Sequence, residues 1–152
     1  MKPNSYPQTD CPLKRSVKLA IANPAGKYLL LRRAAGDRNR PNTLDMVGGG
    51  LEGDESPVEA AIREAGEESG IILFANQIDF LSPITRPSSH GHVNVRYFGH
   101  VALPYDPEVE TDPLEHSGPL WLPRDEAFAS LSHPPLREGF ARATGILDLQ
   151  FV

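Results

Sequence analysis

Glu64, Glu67 and Glu68 stand at i, i+3 and i+4 within residues 49 to 71, GGLEGDESPVEAAIREAGEESGI. On a helix these positions project from one face. Carboxylates so placed repel one another, by about a few tenths of a kcal/mol per i,i+4 pair in water and by more when partly buried. A hard divalent cation reverses that sign, because Mg²⁺ and Mn²⁺ prefer oxygen ligands and pair readily with substrate phosphates. The commoner meaning of a glutamate cluster is a solvated acidic helix face, and EAGEES alone would favour it. The neighbouring residues favour the metal. Gly48, Gly49 and Gly50 precede the cluster, Glu55 follows them, and Arg63 stands directly before Glu64. Glycines let backbone approach a metal or a phosphate where a Cβ would obstruct, although a plain tight turn needs them too.

The element that must position these residues is announced locally. Ser56-Pro57-Val58-Glu59 has the form of a capping box, with Pro57 at the first helical position, where its missing N–H costs nothing. The helix is expected to run to about Ser69, with Gly70 as a left-handed cap. Val58, Ala61, Ile62 and Ala65 follow the spacing of a buried stripe on the neighbouring flank.

Gly49, five residues, Glu55, seven residues, then Arg63-Glu64-Ala65-Gly66-Glu67-Glu68-Ser69-Gly70-Ile71 resembles the signature of the Nudix hydrolases. That family holds divalent metal on a helix and cleaves diphosphates. Every fixed position matches in type. Ala65 stands where the family usually has a larger aliphatic residue, Val47 where many members have proline and Leu44 where many have tryptophan. The resemblance implies an α/β Nudix fold, a mixed β-sheet sandwiched between α-helices. It implies that Glu64, Glu67 and Glu68 bind Mg²⁺ or Mn²⁺, with Gly48 adding its carbonyl. Arg63 would orient a box glutamate, and Glu55 would support the loop or the metal waters. The general base would be Glu67 or Glu68, or a later-loop glutamate, here Glu115 in PLEHSGPLW; a place in a solvated acidic loop is the other reading of Glu115. Gly49, Gly50 and one of Arg32 and Arg33, taken as Arg33, would contact the substrate phosphates.

At 152 residues the chain suits one domain with a real core. We expect a loose, proline-bearing arm over 1 to 12 and a single domain over 13 to 152. A net charge of −5 argues against a duplex nucleic-acid partner. A small nucleotide-type diphosphate remains compatible, since metal can bridge its phosphates. The lone Cys11 allows no internal disulfide and points to a reducing compartment, so the cytoplasm is the expected location. No run has signal-peptide or membrane-span character. Many relatives dimerise, and a homodimer is left open.

Alternation and turn residues predict strands over 16 to 22, 27 to 33, 78 to 82, 92 to 103 and 118 to 122, the first two as a hairpin. Helices are expected over 123 to 131 and 135 to 146, with loops over 34 to 43 and 104 to 119. Arg38 and Arg40 read as a solvated loop or a phosphate clamp. His90 and His92 read as pocket edge or exposed residues, Trp121 as core or a base-stacking ring. Of Tyr97 and Phe98, one should be buried and the other can face the cleft. Two further functions stay open: a Nudix-like sensor without turnover, although the box glutamates are intact, and an isoprenoid diphosphate isomerase. LDMVGGG is only faintly similar to the isomerase segment, and Cys11 lies far from the box.

Overall fold

The computed structural model describes residues 12–146. The expected arm, apart from Pro12, and Cys11 lie outside the described residues. The strands are β1 (Leu13–Ala22), β2 (Lys27–Arg33), β3 (Leu44–Asp45), β4 (Val47–Gly50), β5 (Ile78–Phe80), β6 (Ile84–Pro87), β7 (Val93–Ala102) and β8 (His116–Pro123). The helices are α1 (Pro57–Ser69), α2 (Arg124–Ser130) and α3 (Pro134–Thr144), with a 3₁₀ turn at Ala75–Gln77.

The strands form one mixed sheet, as expected, and β1 is its axis. It runs parallel to β7 along its whole length, from Leu13↔Val93 to Ala22↔Ala102, and antiparallel to β4 from Ser16↔Gly50 to Leu19↔Val47. The predicted hairpin of β1 and β2 is reduced to one registered pair, Ala22↔Tyr28. Beyond it β2 leaves to pair with β8 and β3. Local turn chemistry at Pro24-Ala25-Gly26 gives the reversal; burial of both strands inside a wide sheet decides their partners.

Period-two alternation divides the core. Val17, Leu19 and Ile21 of β1 pack with Ala60, Ala61 and Ala65 of α1 on one face. Ala20 and Ala22 pack with Phe98, Ala127 of α2, and Leu136 and Phe140 of α3 on the other. Phe98 is thus the buried member of its pair, and Tyr97 packs against the α1 side. Toward the start of β1 the α3-side positions become Lys18, Ser16 and Lys14. There the apolar layer ends and a polar cavity begins.

Three strands were not foreseen. LDMVGGG carries β3 and β4, because pairing to β2 and β1 overrides the low strand propensity of glycine. Ile84–Pro87 pairs with β7, and Pro87 is its last residue, where proline is tolerated. Among the described residues no helix is long and apolar enough to cross a membrane.

α3 lies close on β7 because Gly139 has no side chain: a Cβ there would run into the Phe98 ring. Gly139→Ala should therefore destabilise the protein by about 1–3 kcal/mol despite the better helix propensity of alanine. Urea denaturation reads this directly; an unchanged midpoint would show that the contact has slack.

Candidate active site

The chain builds its acidic helix as its local signals dictate. Glu59 N–H donates to Ser56 Oγ (3.1 Å), and Ser56 N–H donates to Glu59 Oε1 (2.9 Å). Gly70 closes the helix at φ 74°, its N–H donating to the Gly66 carbonyl. Ala60, Ala61 and Ala65 are fully buried against the sheet, so the face bearing the glutamates is held against the end of β4. Ala65, with its small side chain, belongs to this contact.

Arg63 gathers the carboxylates. Its Nε and Nη2 form a fork on Glu55 (2.7 and 2.9 Å). Its Nη1 donates to Glu64 Oε1 (3.0 Å) and Glu67 Oε1 (2.8 Å), and Nη2 also donates to the Gly50 carbonyl (3.0 Å). One guanidinium so ties the helix, the glycine strand and the loop before the helix, and Glu55 is held below its ordinary pKa mainly by this fork. The Glu64 carboxylate lies under Gly49, where a Cβ would come within 2.5 Å of Oε1. Burial raises the Glu64 pKa above its ordinary value in spite of Arg63.

Glu68 is set deeper. Its Oε1 accepts from the Gly48 N–H at 2.7 Å, and its Oε2 lies 3.9 Å from His116 Nε2. Burial lifts its pKa from 4.5 to about 7. Gly48 itself adopts φ +146°, and a Cβ would run into the Val17 carbonyl, so only glycine fits there. Its carbonyl accepts from Lys18 Nζ at 3.3 Å.

Lys18 connects this acidic cleft to an ion network that sequence reasoning missed. Its Nζ pairs with Asp45 (3.1 Å), which is 2% exposed and also meets Arg33 Nη1 (2.7 Å). Arg33 Nη2 pairs with Asp37 (2.7 Å), while Arg32 turns outward to the Asn42 carbonyl, so the two arginines diverge as expected. Burial opposes the Asp45 charge, but Lys18, Arg40 and Arg33 together hold its pKa below the carboxylate norm. The signal was present: a lysine within the apolar alternation of SVKLAIA and an aspartate between Leu44 and Met46.

Glu115 is exposed on the far wall. With Asp112, Glu52, Arg63, Glu64, Glu67 and Glu68 it lines a cleft of about 440 Å³. Its neighbour His116 is the buried member of the Glu-His pair, with Nδ1 lacking a hydrogen-bond partner and a pKa lowered chiefly by burial. His90 and His92 do not converge: His90 is exposed, and His92 Nε2 meets Asn94 Oδ1 at 3.2 Å. Trp121 is half-buried against the α1-side core, and Arg38 is exposed.

Among the described residues no three carboxylate or imidazole groups stand together in coordinating geometry. The donor set nevertheless suits a hard cation. Glu64 and Glu68 each engage one oxygen, with Arg63 and with the Gly48 N–H, and neither second oxygen receives a hydrogen bond. Both carboxyls are strained toward protonation by burial, which a divalent cation would relieve.

The sequence matches the family model described as NUDIX domain over residues 12–143. It is 30% identical over 137 residues to a Myxococcus xanthus protein named octanoyltransferase, covering 88% of this chain and 37% of that one. It is 37% identical over 62 residues to the RNA pyrophosphohydrolase of Acidiphilium cryptum (strain JF-5), covering 41% of this chain and 38% of that one. The chain thus spans less than two fifths of the length of either curated relative. The crystal structure of a MutT protein from Methanosarcina mazei Go1 superposes with a TM-score of 0.73 at 24% identity, over 92% of this chain and 99% of that one. At that identity the likeness speaks for the fold.

The raised pKa of Glu68 has a thermodynamic consequence. A carboxyl whose folded value exceeds its unfolded one contributes stability below the unfolded pKa and loses it as pH rises through the folded value, here from 4.5 to about 7. Metal-free Glu68→Gln should therefore be more stable than the parent at pH 8, by on the order of 2 kcal/mol, with the advantage gone near pH 4. Thermal melts in chelator at the two pH values check this. A variant less stable at both would contradict a buried, unrelieved carboxylate.

Proposed function

The chain belongs to the Nudix family, and from that premise we propose that it is a divalent-metal-dependent hydrolase of a nucleotide-type diphosphate. The observation that carries the proposal is the acidic cleft. The complete carboxylate set of α1 faces a three-glycine strand, and two of those carboxylates are under-neutralised by the protein's own cations. We read residues 13 to 152 as the domain that carries the activity.

In this reading Glu64, Glu67, Glu68 and the Gly48 carbonyl hold the metal. Mg²⁺ or Mn²⁺ bound there would neutralise diphosphate oxygens and lower the pKa of a water molecule. The chain's own residues do the rest. Gly49 and Gly50 give the diphosphate a wall without side chains. Lys18, at the junction of the cleft with the Asp45 network, faces the anionic oxygens, and Arg33 sets Asp45 so that Lys18 stays in place. Arg63 keeps Glu64 and Glu67 on the same side of the helix.

The general base must be a carboxylate able to take a proton from water. Glu68 is engaged by the Gly48 N–H, and Glu67 by Arg63 through both oxygens (2.8 and 3.4 Å). Glu115 lines the same cleft from the opposite wall, and its carboxylate accepts no hydrogen bond among the described residues. We therefore assign the proton to Glu115. Water attack on phosphorus with the other phosphate as leaving group needs no covalent enzyme intermediate.

Phosphate release is the test, on canonical and oxidised nucleoside triphosphates, ADP-ribose, nucleotide sugars and diadenosine polyphosphates, with and without Mg²⁺. We expect metal-dependent turnover of at least one substrate, lowered about 100-fold or more by Glu68→Gln. Glu115→Gln should lower kcat by roughly 10²–10⁴ at an almost unchanged KM. Turnover that survives both substitutions would refute the assignment of this cleft.

A further inference from the structure

On the α3 face of the sheet, where the apolar layer of β1 gives out, a second cavity of about 260 Å³ opens. β1 supplies Lys14 and Lys18, β7 supplies Arg96 in register with Ser16, the β2–β3 loop supplies Arg40 and the start of α3 supplies His133. With Arg15, the lining holds five cationic side chains and no carboxylate, in a chain of net charge −5. That is the inverse of the acidic cleft on the other side of β4.

Lys18 is paired with Asp45, but the two guanidiniums deeper in the cavity are not spent on internal partners. Arg40 is half-buried, its Nη1 is sealed from solvent without a hydrogen-bond partner, and its side chain makes no ion pair among the described residues. Arg96 likewise makes no side-chain hydrogen bond there; Glu138, the carboxylate its charge feels, is already held by Arg86 and Arg142 at 2.8 Å each. Burial makes both guanidiniums easier to deprotonate than usual, reinforced by Arg33 at Arg40 and by Arg40 and Arg86 at Arg96. Burial, Arg40 and Arg96 also push the His133 imidazole down to about 4, so it stays neutral and can donate or accept. Unpaired, desolvated guanidiniums are unfavourable in the folded protein unless an anion completes them, and their planar forks suit phosphate or carboxylate.

A third cavity lies between this one and the acidic cleft: it shares Lys18 with the basic cavity, shares Glu68 and Glu115 with the cleft, and has Gly49, the neighbour of Gly50, on its wall. One elongated molecule can lie across β4 with its two ends on opposite charge environments.

We propose that this cavity binds a second anionic group of the substrate, a phosphate monoester or a carboxylate carried on the part of the molecule remote from the scissile diphosphate. This rests on the hydrolase reading above and narrows its substrates to those charged at both ends. A neutral nucleobase could also accept from Arg40, but it would leave the remaining cations uncompensated.

Matched pairs test it. Coenzyme A against dephospho-coenzyme A differs by one phosphate, and UDP-glucuronate against UDP-glucose by one carboxylate. The wild type should favour the charged member of at least one pair by about tenfold or more in kcat/KM. Arg96→Gln or Arg40→Gln should collapse that ratio toward one; Arg40 lies on a loop, so its variant keeps the test if Arg96→Gln fails to fold. Which pair responds tells phosphate from carboxylate. Turnover without a charge preference in either pair, or a preference untouched by both variants, overturns the proposal. Should nothing be turned over, calorimetric binding of the same four compounds decides. Tighter binding of a charged member, lost in the variants, upholds the cavity while the hydrolase reading falls; equal binding rejects the cavity.

Discussion

One guanidinium holds the acidic cleft together. Arg63 reaches Glu55, Glu64, Glu67 and the Gly50 carbonyl at 2.7 to 3.0 Å. Without it, three glutamates on one helical face and a fourth on the loop would repel each other and the glycine strand would lose its tie to α1. A single positive charge cannot satisfy that many carboxylates. The shortfall falls on Glu64 and Glu68, whose pKa values rise as burial outweighs the cations near them. The fold therefore carries a built-in need for further positive charge at this one place, where the Gly48 N–H meets Glu68 and the bare backbone of Gly49 lies against Glu64.

The sheet separates this deficit from an excess. β1 carries apolar residues toward α1 and, at its open end, lysines toward α3, so the two charge environments lie back to back across β4. Asp45 offsets part of the excess. It binds Lys18 and Arg33 from a position 2% exposed to solvent, and Arg33 is fixed in turn by Asp37. Lys18 is the point at which both environments meet.

The parts legible in the sequence are those decided by neighbours along the chain. The capping box, Pro57 and Gly70 specify α1 within four residues of each end, and the box spacing places its carboxylates. β2 follows from alternation between two turn signals. What escaped depends on partners far apart in sequence. The parallel pairing of β1 with β7 joins residues 80 apart at every step, such as Leu13↔Val93, and nothing local announces it. It brings Arg96 beside Ser16, while on the other edge of β1 the β4 strand takes the positions that the expected hairpin would have filled. The Lys18–Asp45 pair spans 27 residues; each member looked like an exception to an apolar pattern, and only the fold shows that the exceptions meet. In PLEHSGPLW the pattern points to Glu115, while burial falls on His116.

We propose that α1 and the glycine strand form a site short of positive charge and shaped for a hard divalent cation. Titration of the substrate-free protein with Mn²⁺, following the free ion by electron paramagnetic resonance, tests it most directly, because it requires neither a known substrate nor turnover. The expected result is saturable binding that Mg²⁺ displaces and that weakens by about tenfold or more in Glu64→Gln. Binding no different between the parent and Glu64→Gln, or none at all up to millimolar ion, would contradict it.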